Sequence, residues 1–289
     1  MARRAFGAAK AALRAYAHKF SPKKFTQPQL FACLALKVFF KSDYRGVTTL
    51  LHDLADLRQA LALDSVPHFT TLHKAARRLL TLRRANRLLS VTIRRFLGPR
   101  RRRIDLAAFD STGLECGRRS HYYVRRRSKT DTKPQKVRYS RYAKLEAAFA
   151  CGSHLLLAAI PRRGPAVDVD RFVPLLEEAL RRVQLTTVLA DAGYDSESNH
   201  RHARERRGVR SVIPAAIGRP SVKPPAGRYR RRMKQRLDKD YCRYGQRWQA
   251  EAGFSMLKRR LGSYVRGHSY WSQCRDLMLL AITYNIMLC

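Results

Sequence analysis

Acidic residues are scarce in this chain. Asp and Glu total 21 against 60 Lys and Arg over 289 residues, a formal net charge of +39. The excess is spread along the sequence rather than gathered in a tail, which marks a protein whose partner is a polyanion. Cysteine is also sparse. The six (Cys33, Cys116, Cys151, Cys242, Cys274, Cys289) are widely separated, with no C-x-x-C pair. That pattern suggests neither a zinc site nor a disulfide framework and fits a reducing compartment. The histidines, among them His200 and His202, have no partner at metal-ligand spacing and read as surface residues. No segment reaches 18 uninterrupted apolar residues, so nothing is expected to span a membrane. With no continuous apolar stretch after the first arginines, a secretory signal is not expected. No internal repeat is visible.

What is present is apolar material for a packed core, 45% of the residues, in a chain long enough for about two domains. The N-terminal MARRAFGAAKAALRAYAHKF carries no acid. It reads as an organellar transit peptide or as a basic amphipathic helix lying on DNA, the second being preferred. Residues 1–98 read as helical. The run from Gln27 has apolar residues at helical spacing, broken near Asp43–Gly46. Asp64–Thr70 reads as a turn and cap leading into an Arg-rich helix. Two readings of this region are open, a helix-turn-helix reader and a plain helical bundle packed on a catalytic core. Gly98-Pro99 and the following arginines place a domain boundary, giving segments 1–98 and 99–289.

The second segment reads as α/β. Ile104–Phe109 is expected as a strand ending at Asp110, and 115–143 as an irregular, Tyr-rich basic loop. Leu145–Cys151 and His154–Ile160 form a hairpin around Gly152-Ser153. Asp168–Val183 is a helix capped by Asp168 or Asp170, followed by a strand Thr186–Ala190 ending at Asp191. A helix Ser196–Arg207, capped by Asp195 and closed by Gly208, precedes a strand Val209–Pro214. Residues 215–240 read as a Pro/Gly/Arg loop, and helices follow near Tyr244 and from Trp271 to Cys289. The order implies a mixed sheet with helices on both faces.

In so basic a chain, acids at the carboxyl ends of apolar strands need a reason. Asp110 and Asp191 are two such residues, although an Asp after a strand commonly serves a turn or a cap. Near the C-terminus, Tyr244-Gly-Gln-Arg247-Trp-Gln-Ala-Glu251 runs on to Lys258. On one continuous helix, Tyr244, Arg247, Glu251 and Lys258 fall within an arc of about 60°. That column is either a salt-bridged solvent face, Arg247 and Glu251 being an i,i+4 pair, or a device for gripping a phosphodiester chain. Three converging carboxylates raise one another's pKa unless a cation sits among them. Oxygen-only donors favour two Mg²⁺ (or Mn²⁺) ions over zinc. Asp105 alternates to the other sheet face from Asp110, and Glu115 and Glu146 remain open as supporting residues.

AAFDSTGL around Asp110, TTVLADAGYDS around Asp191 and the spaced Y-x2-R-x3-E-x6-K at Tyr244, Arg247, Glu251 and Lys258 together resemble the DDE transposases of bacterial insertion sequences. The likeness covers roughly residues 100–289. It implies an RNase H-like sheet flanked by helices, behind an all-helical N-terminal DNA-binding or dimerisation region. It also implies Asp110, Asp191 and Glu251 as catalytic metal ligands, with Tyr244, Arg247 and Lys258 on the phosphates of the element's end. The implied reaction is nicking at the ends, then attack of the 3′-hydroxyl on target DNA. The implied assembly is a homodimer or larger on double-stranded DNA, in the cytoplasm and associated with the nucleoid. About 60 residues separate Asp191 from Glu251, too few for the large β-stranded insertion of some relatives, and the chain stops within an apolar helix, as a truncated copy would. A DNA-binding derivative without activity and a nuclease on the same fold are the competing functions.

Overall fold

A computed structural model of the protein describes residues 1–99, 102–117, 121–126, 135–215, 224–237 and 241–289. Six helices come first: α1 (Ala2–Ala12), α2 (Gln27–Phe39), α3 (Tyr44–Asp53), α4 (Ala55–Ala60), α5 (Phe69–Leu79) and α6 (Leu82–Leu97). Their boundaries follow local chemistry. Thr26 and Gln29 form a capping box at the start of α2. Asp43 accepts the Gly46 N–H at 2.7 Å and opens α3, so the expected break falls there. The cap of α5 is His68, whose Nδ1 accepts from Thr70 N. α1 is not an arm free to lie on DNA by its apolar side. Ala2, Ala5, Ala8, Ala9 and Ala12 are buried, and the helix packs on α2, α6 and the C-terminal helix.

The sheet has the order β5-β4-β1-β6-β7. β1 (Arg103–Cys116) runs antiparallel to β4 (Tyr142–Ala150), which pairs antiparallel with β5 (Leu156–Gly164). On its other side β1 is parallel to β6 (Gln184–Ala190), and β6 to β7 (Arg210–Val212). A short β8 (Tyr264–Val265) pairs with the far end of β1. The hairpin expected around Gly152 is β4–β5. β1, however, does not end at Asp110. β4 pairs with it as far as Leu114, and that partner keeps the chain extended beyond the last residue that β6 can reach. The loop expected over 115–143 contains a two-stranded ribbon, β2 (His121–Arg126) with β3 (Gln135–Ser140). Residues 118–120 and 127–134 of that expectation lie outside the described residues.

α7 (Phe172–Leu180) covers one face of the sheet, with Phe172 and Phe109 ring centroids 5.5 Å apart. A 3₁₀ turn, Val169–Arg171, precedes it, and neither Asp168 nor Asp170 caps it through its side chain. α8 (Glu197–Arg201) continues as a π turn to Arg206. α9 (Arg228–Arg236) is a helix inside the stretch expected to be loop, whose residues 216–223 and 238–240 are not described.

α10 (Tyr241–Gly245), α11 (Trp248–Leu261) and α12 (Tyr270–Leu288) complete the chain. α11 and α12 cover the second face, where Phe149 meets Phe254 at 5.0 Å and Tyr284 at 6.1 Å. α12 also packs on α1, α2 and α6, so one hydrophobic core runs from the helical segment through the sheet. Among the described residues no helix is long and apolar enough to cross a membrane. The architecture is a mixed α/β sheet flanked by helices with an N-terminal helical region, consistent with an RNase H-like domain.

Candidate active site

Strand register brings the first two acids together. Phe109 is paired with Ala190, so Asp110 and Asp191 follow side by side where β6 ends. Side chains alternate along a strand. Phe109 therefore faces α7, and Asp110 faces α11. Each Asp accepts a backbone N–H through one oxygen: Asp110 Oδ1 that of Ser111 at 2.8 Å, and Asp191 Oδ1 that of Gly193 at 2.9 Å. For Asp191 this is the ordinary turn-holding of an Asp after a strand, whereas Asp110 does it within β1. In both, one oxygen is engaged and the direction of the other is fixed.

The third acid comes from α11. Gly253 lies against the sheet at a point where a Cβ would stand 2.7 Å from the Phe149 ring. A glycine there lets the helix approach β4 closely and sets Glu251 beside the strand ends. The column expected on one helix is broken. Gly245 ends α10, and Arg247 N bonds back to Tyr244 O, and Ala250 N to Arg247 O, in tight i→i+3 turns that lead into the first turn of α11. Gly is a weak helix former, and the tighter turn keeps Tyr244 and Arg247 on one side. Glu251 and Lys258 share a face of α11, about 10 Å apart along its axis.

Arg247 links the elements. Its Nη2 pairs with Glu251 Oε1, and its Nη1 lies 3.8 Å from Asp110 Oδ2. Asp110 is largely buried and Glu251 exposed. Burial is the main cause that pushes the Asp110 carboxyl up to about 6. The charges of Asp191 and Glu251 add to it, while the Ser111 N–H and Arg247 oppose it. Burial also raises the Tyr244 phenol, which feels Arg247, Asp191 and Glu251. The six residues expected to act together thus divide. Asp110, Asp191, Glu251, Arg247 and Tyr244 form one electrostatic cluster, and Lys258 stands two turns further along α11. Among the described residues no three His, Cys, Asp or Glu side chains are close enough to hold a metal ion jointly in this arrangement.

The opposite face of β4 carries a second charged cluster that the sequence reading left open. Glu146 is fully buried. It accepts from Tyr194 Oη at 2.8 Å and from Arg162 at 3.3 Å, with Lys144 Nζ at 3.7 Å. Lys144 also pairs with Asp168, which accepts from Ser111 Oγ at 3.1 Å. Ser111 therefore joins the two clusters: its N–H holds Asp110 and its hydroxyl holds Asp168. The signal available in the sequence was the alternation of Lys144 and Glu146 on one strand face. Glu115 lies at the far end of β1, paired with Tyr264. Asp105 is exposed beside Arg103.

Asp195 and His200 depart from expectation. Ser196, not Asp195, begins α8. The Asp195 carboxylate is buried and pairs with Arg230 of α9 at 2.8 Å. His200 is buried, its Nδ1 2.7 Å from Ser211 Oγ of β7, so α8 turns that side chain inward toward the sheet. Glu197 accepts the N–H groups of Tyr229 and Arg230 at 3.1 Å, capping α9 from another element. Met233 is buried beneath α9, while Arg228, Arg231, Arg232 and Lys234 are exposed. A basic helix is thus fixed just beyond Asp191.

Neither a curated protein nor a solved structure matches the chain. The profile of the transposase DDE domain does, over residues 101–286, which span the sheet and every member of the cluster. Two acids side by side where β6 ends and a third on the helix packed over them lie within a match longer than half the sequence, and the chain belongs to the transposase DDE domain family.

Proposed function

We propose that this transposase is of the insertion-sequence type, cutting DNA at the ends of its element and joining the new 3′-hydroxyls to target DNA. The observation that carries the reading is the register of β1 and β6, which sets Asp110 beside Asp191 under Glu251 and Arg247 of the α11 segment.

Asp110, Asp191 and Glu251 are the residues that would hold divalent cations. The donors are oxygen only, which suits Mg²⁺ or Mn²⁺. Their mutual repulsion, felt in the raised Asp110 carboxyl, is what a bound cation relieves. When bound, two such ions acidify water and stabilise the attacking and leaving oxygens of an in-line displacement. The chain's own residues do the rest. Arg247 holds positive charge between Asp110 and Glu251 and offers a bidentate fork to a phosphate. Lys258 supplies a point charge about 10 Å along the same helix, Tyr244 flanks Arg247, and the exposed cations of α9 track the backbone beyond. Action on two ends calls for a homodimer or larger assembly, and the helical segment 1–98 contributes to DNA binding or dimerisation.

The test uses the full chain and a supercoiled plasmid carrying the inverted repeats that should flank the gene. Asp110→Asn, Asp191→Asn and Glu251→Gln should each abolish Mg²⁺-dependent cleavage and leave DNA binding in place. Near-normal cleavage by any one removes that residue from the ligand set. Cleavage without joining would reduce the protein to a nuclease.

A further inference from the structure

Beyond the carboxylates the described surface has a second strongly charged concavity. It lies between α2, α5 and the turn from β8 into α12, with a volume of about 570 Å³. Arg77, Arg266 and Arg275 line it, Trp271 stands 68% exposed at its edge, and Asp276 is its one acid. Two of these are committed: Arg266 donates to Lys41 O at 3.1 Å, and Asp276 Oδ2 accepts the Gly267 N–H at 2.9 Å. Arg77 and Arg275 have no ion pair or hydrogen bond among the described residues.

Lys37 also lines the groove, and it is 4% exposed. Its ammonium lies over the Tyr44 ring, 4.5 Å from the centroid. Among the described residues no carboxylate stands within ion-pair distance of it; burial, its largest influence, lowers its pKa, and the more distant Asp276 and Asp43 only partly offset that. An ammonium this buried, with acids only at a distance, gains from an anion brought into contact with it. A solvated basic face would leave its lysine in water. A lysine sunk in the wall, two arginines with free forks and an exposed indole make a cradle for a phosphate with an apolar neighbour.

We propose that this groove grips a DNA strand by its phosphates, with Lys37 at the floor, Arg77 and Arg275 on the walls and Trp271 against a sugar or base. The inference rests on the transposase reading and adds a contact remote from the chemistry. β8 pairs with Glu115 and Cys116 of β1, six residues beyond Asp110, or about 20 Å along the strand. That span corresponds to about six steps of a DNA strand.

Two measurements on the full chain test it. In the first, the affinity for a defined duplex is followed against salt. Each phosphate contact contributes about 0.9 to the slope, so Arg77→Gln with Arg275→Gln should lower it by about 1.8. Arg103→Gln with Arg181→Gln, at the other end of the sheet, removes the same charge and should leave it unchanged. In the second, Trp248→Phe leaves Trp271 as the single tryptophan. Duplex should quench its fluorescence, and Lys37→Met or the Arg77/Arg275 pair should reverse that quenching. If the parent protein binds and nicks DNA while both readouts ignore the groove variants, the groove is not a DNA contact and the catalytic reading stands. If the parent does not bind DNA, the catalytic reading itself falls. Quenching by inorganic phosphate alone, with an unchanged DNA slope, overturns the proposal in favour of a free-phosphate site.

Discussion

Arg247 Nη1 lies 3.8 Å from Asp110 Oδ2. The two residues come from different elements, and that distinguishes two readings of the same helix. Arg247 and Glu251 alone would form the i,i+4 pair of any solvated face. The approach to a largely buried acid on β1 is not something a solvated face makes. Arg247 acts here as the counter-charge of two acids that would otherwise repel one another.

Arg247→Ala should therefore keep the fold and lose function. Without its counter-charge Asp110, whose carboxyl is already pushed up to about 6, can take up a proton rather than stay buried and charged, so the melting temperature should move little. Misplacement of a reacting phosphate by about 1 Å can cost about a hundredfold in rate, and end cleavage should fall by about that factor. Rate and melting curve on the same preparation decide it, and an unchanged rate returns Arg247 to the solvated-face reading.

Much of the site was legible because its signals are local. Asp191 follows a strand that ends where the apolar run ends, and Glu251 sits on a helix that α11 reproduces from Trp248. Misreadings arose where a partner distant in sequence decides the outcome. β1 passes through Asp110 because β4 pairs with it, and no feature of residues 110–116 announces that partner. His200 and Asp195 looked like surface and cap residues, yet α8 turns His200 onto β7, and α9 supplies Arg230 to Asp195. α9 itself was hidden by its composition, since RYRRRMKQR has one buried apolar anchor, Met233, and draws its N-terminal cap from Glu197, 32 residues upstream of Tyr229.

Glu146 should be the most sensitive acid for stability. It is buried against Lys144 and Arg162; those two keep Asp168 and Asp170 as partners, but the buried Tyr194 hydroxyl loses its acceptor, at a cost of about 1–3 kcal/mol. Glu146→Ala should show that loss in denaturant unfolding, and Glu146→Gln, which can still accept from Tyr194, distinctly less. Burial above all pushes this carboxyl up to about 7. The folded state thus holds the proton more tightly than an unfolded Glu near 4.3, and the stability it contributes is greatest in acid and declines as pH rises through about 7. The parent should lose stability over that window relative to Glu146→Gln, and parallel pH profiles would contradict the assignment.

His200 gives the opposite slope. Burial first, and then the charge of Arg204, depress it to about 4, against about 6.5 for a free imidazole. Below about 6.5 the unfolded chain takes up a proton that the folded chain resists until about 4, so stability falls as pH drops through that window. His200→Gln should abolish this acid sensitivity while Glu146→Gln leaves it. Thermal melts of both variants at matched pH values separate the two groups, and a His200→Gln protein as acid-sensitive as the parent would show that the imidazole is not the cause.

The connection from Glu197 to α9 ties stability to DNA handling. Glu197 closes the first turn of α9 by accepting from Tyr229 and Arg230, a cap worth about 1 kcal/mol, or about a fivefold change in local opening. Glu197→Ala should therefore speed hydrogen exchange at the Tyr229 and Arg230 amides by about that factor, with little change at β1 or β6. The exposed cations Arg228, Arg231, Arg232 and Lys234 stand on this helix, which Asp195 and Glu197, just after Asp191 in the chain, hold in place. Loosening it should raise KM for a cleavable duplex and leave kcat nearly intact, because Asp110, Asp191 and Glu251, the acids proposed to hold metal, are untouched. A fall in kcat at constant KM would mean that Glu197 supports the chemistry directly rather than through α9. Unchanged exchange at Tyr229 and Arg230 would mean that Met233 and the Asp195–Arg230 pair hold the helix without it.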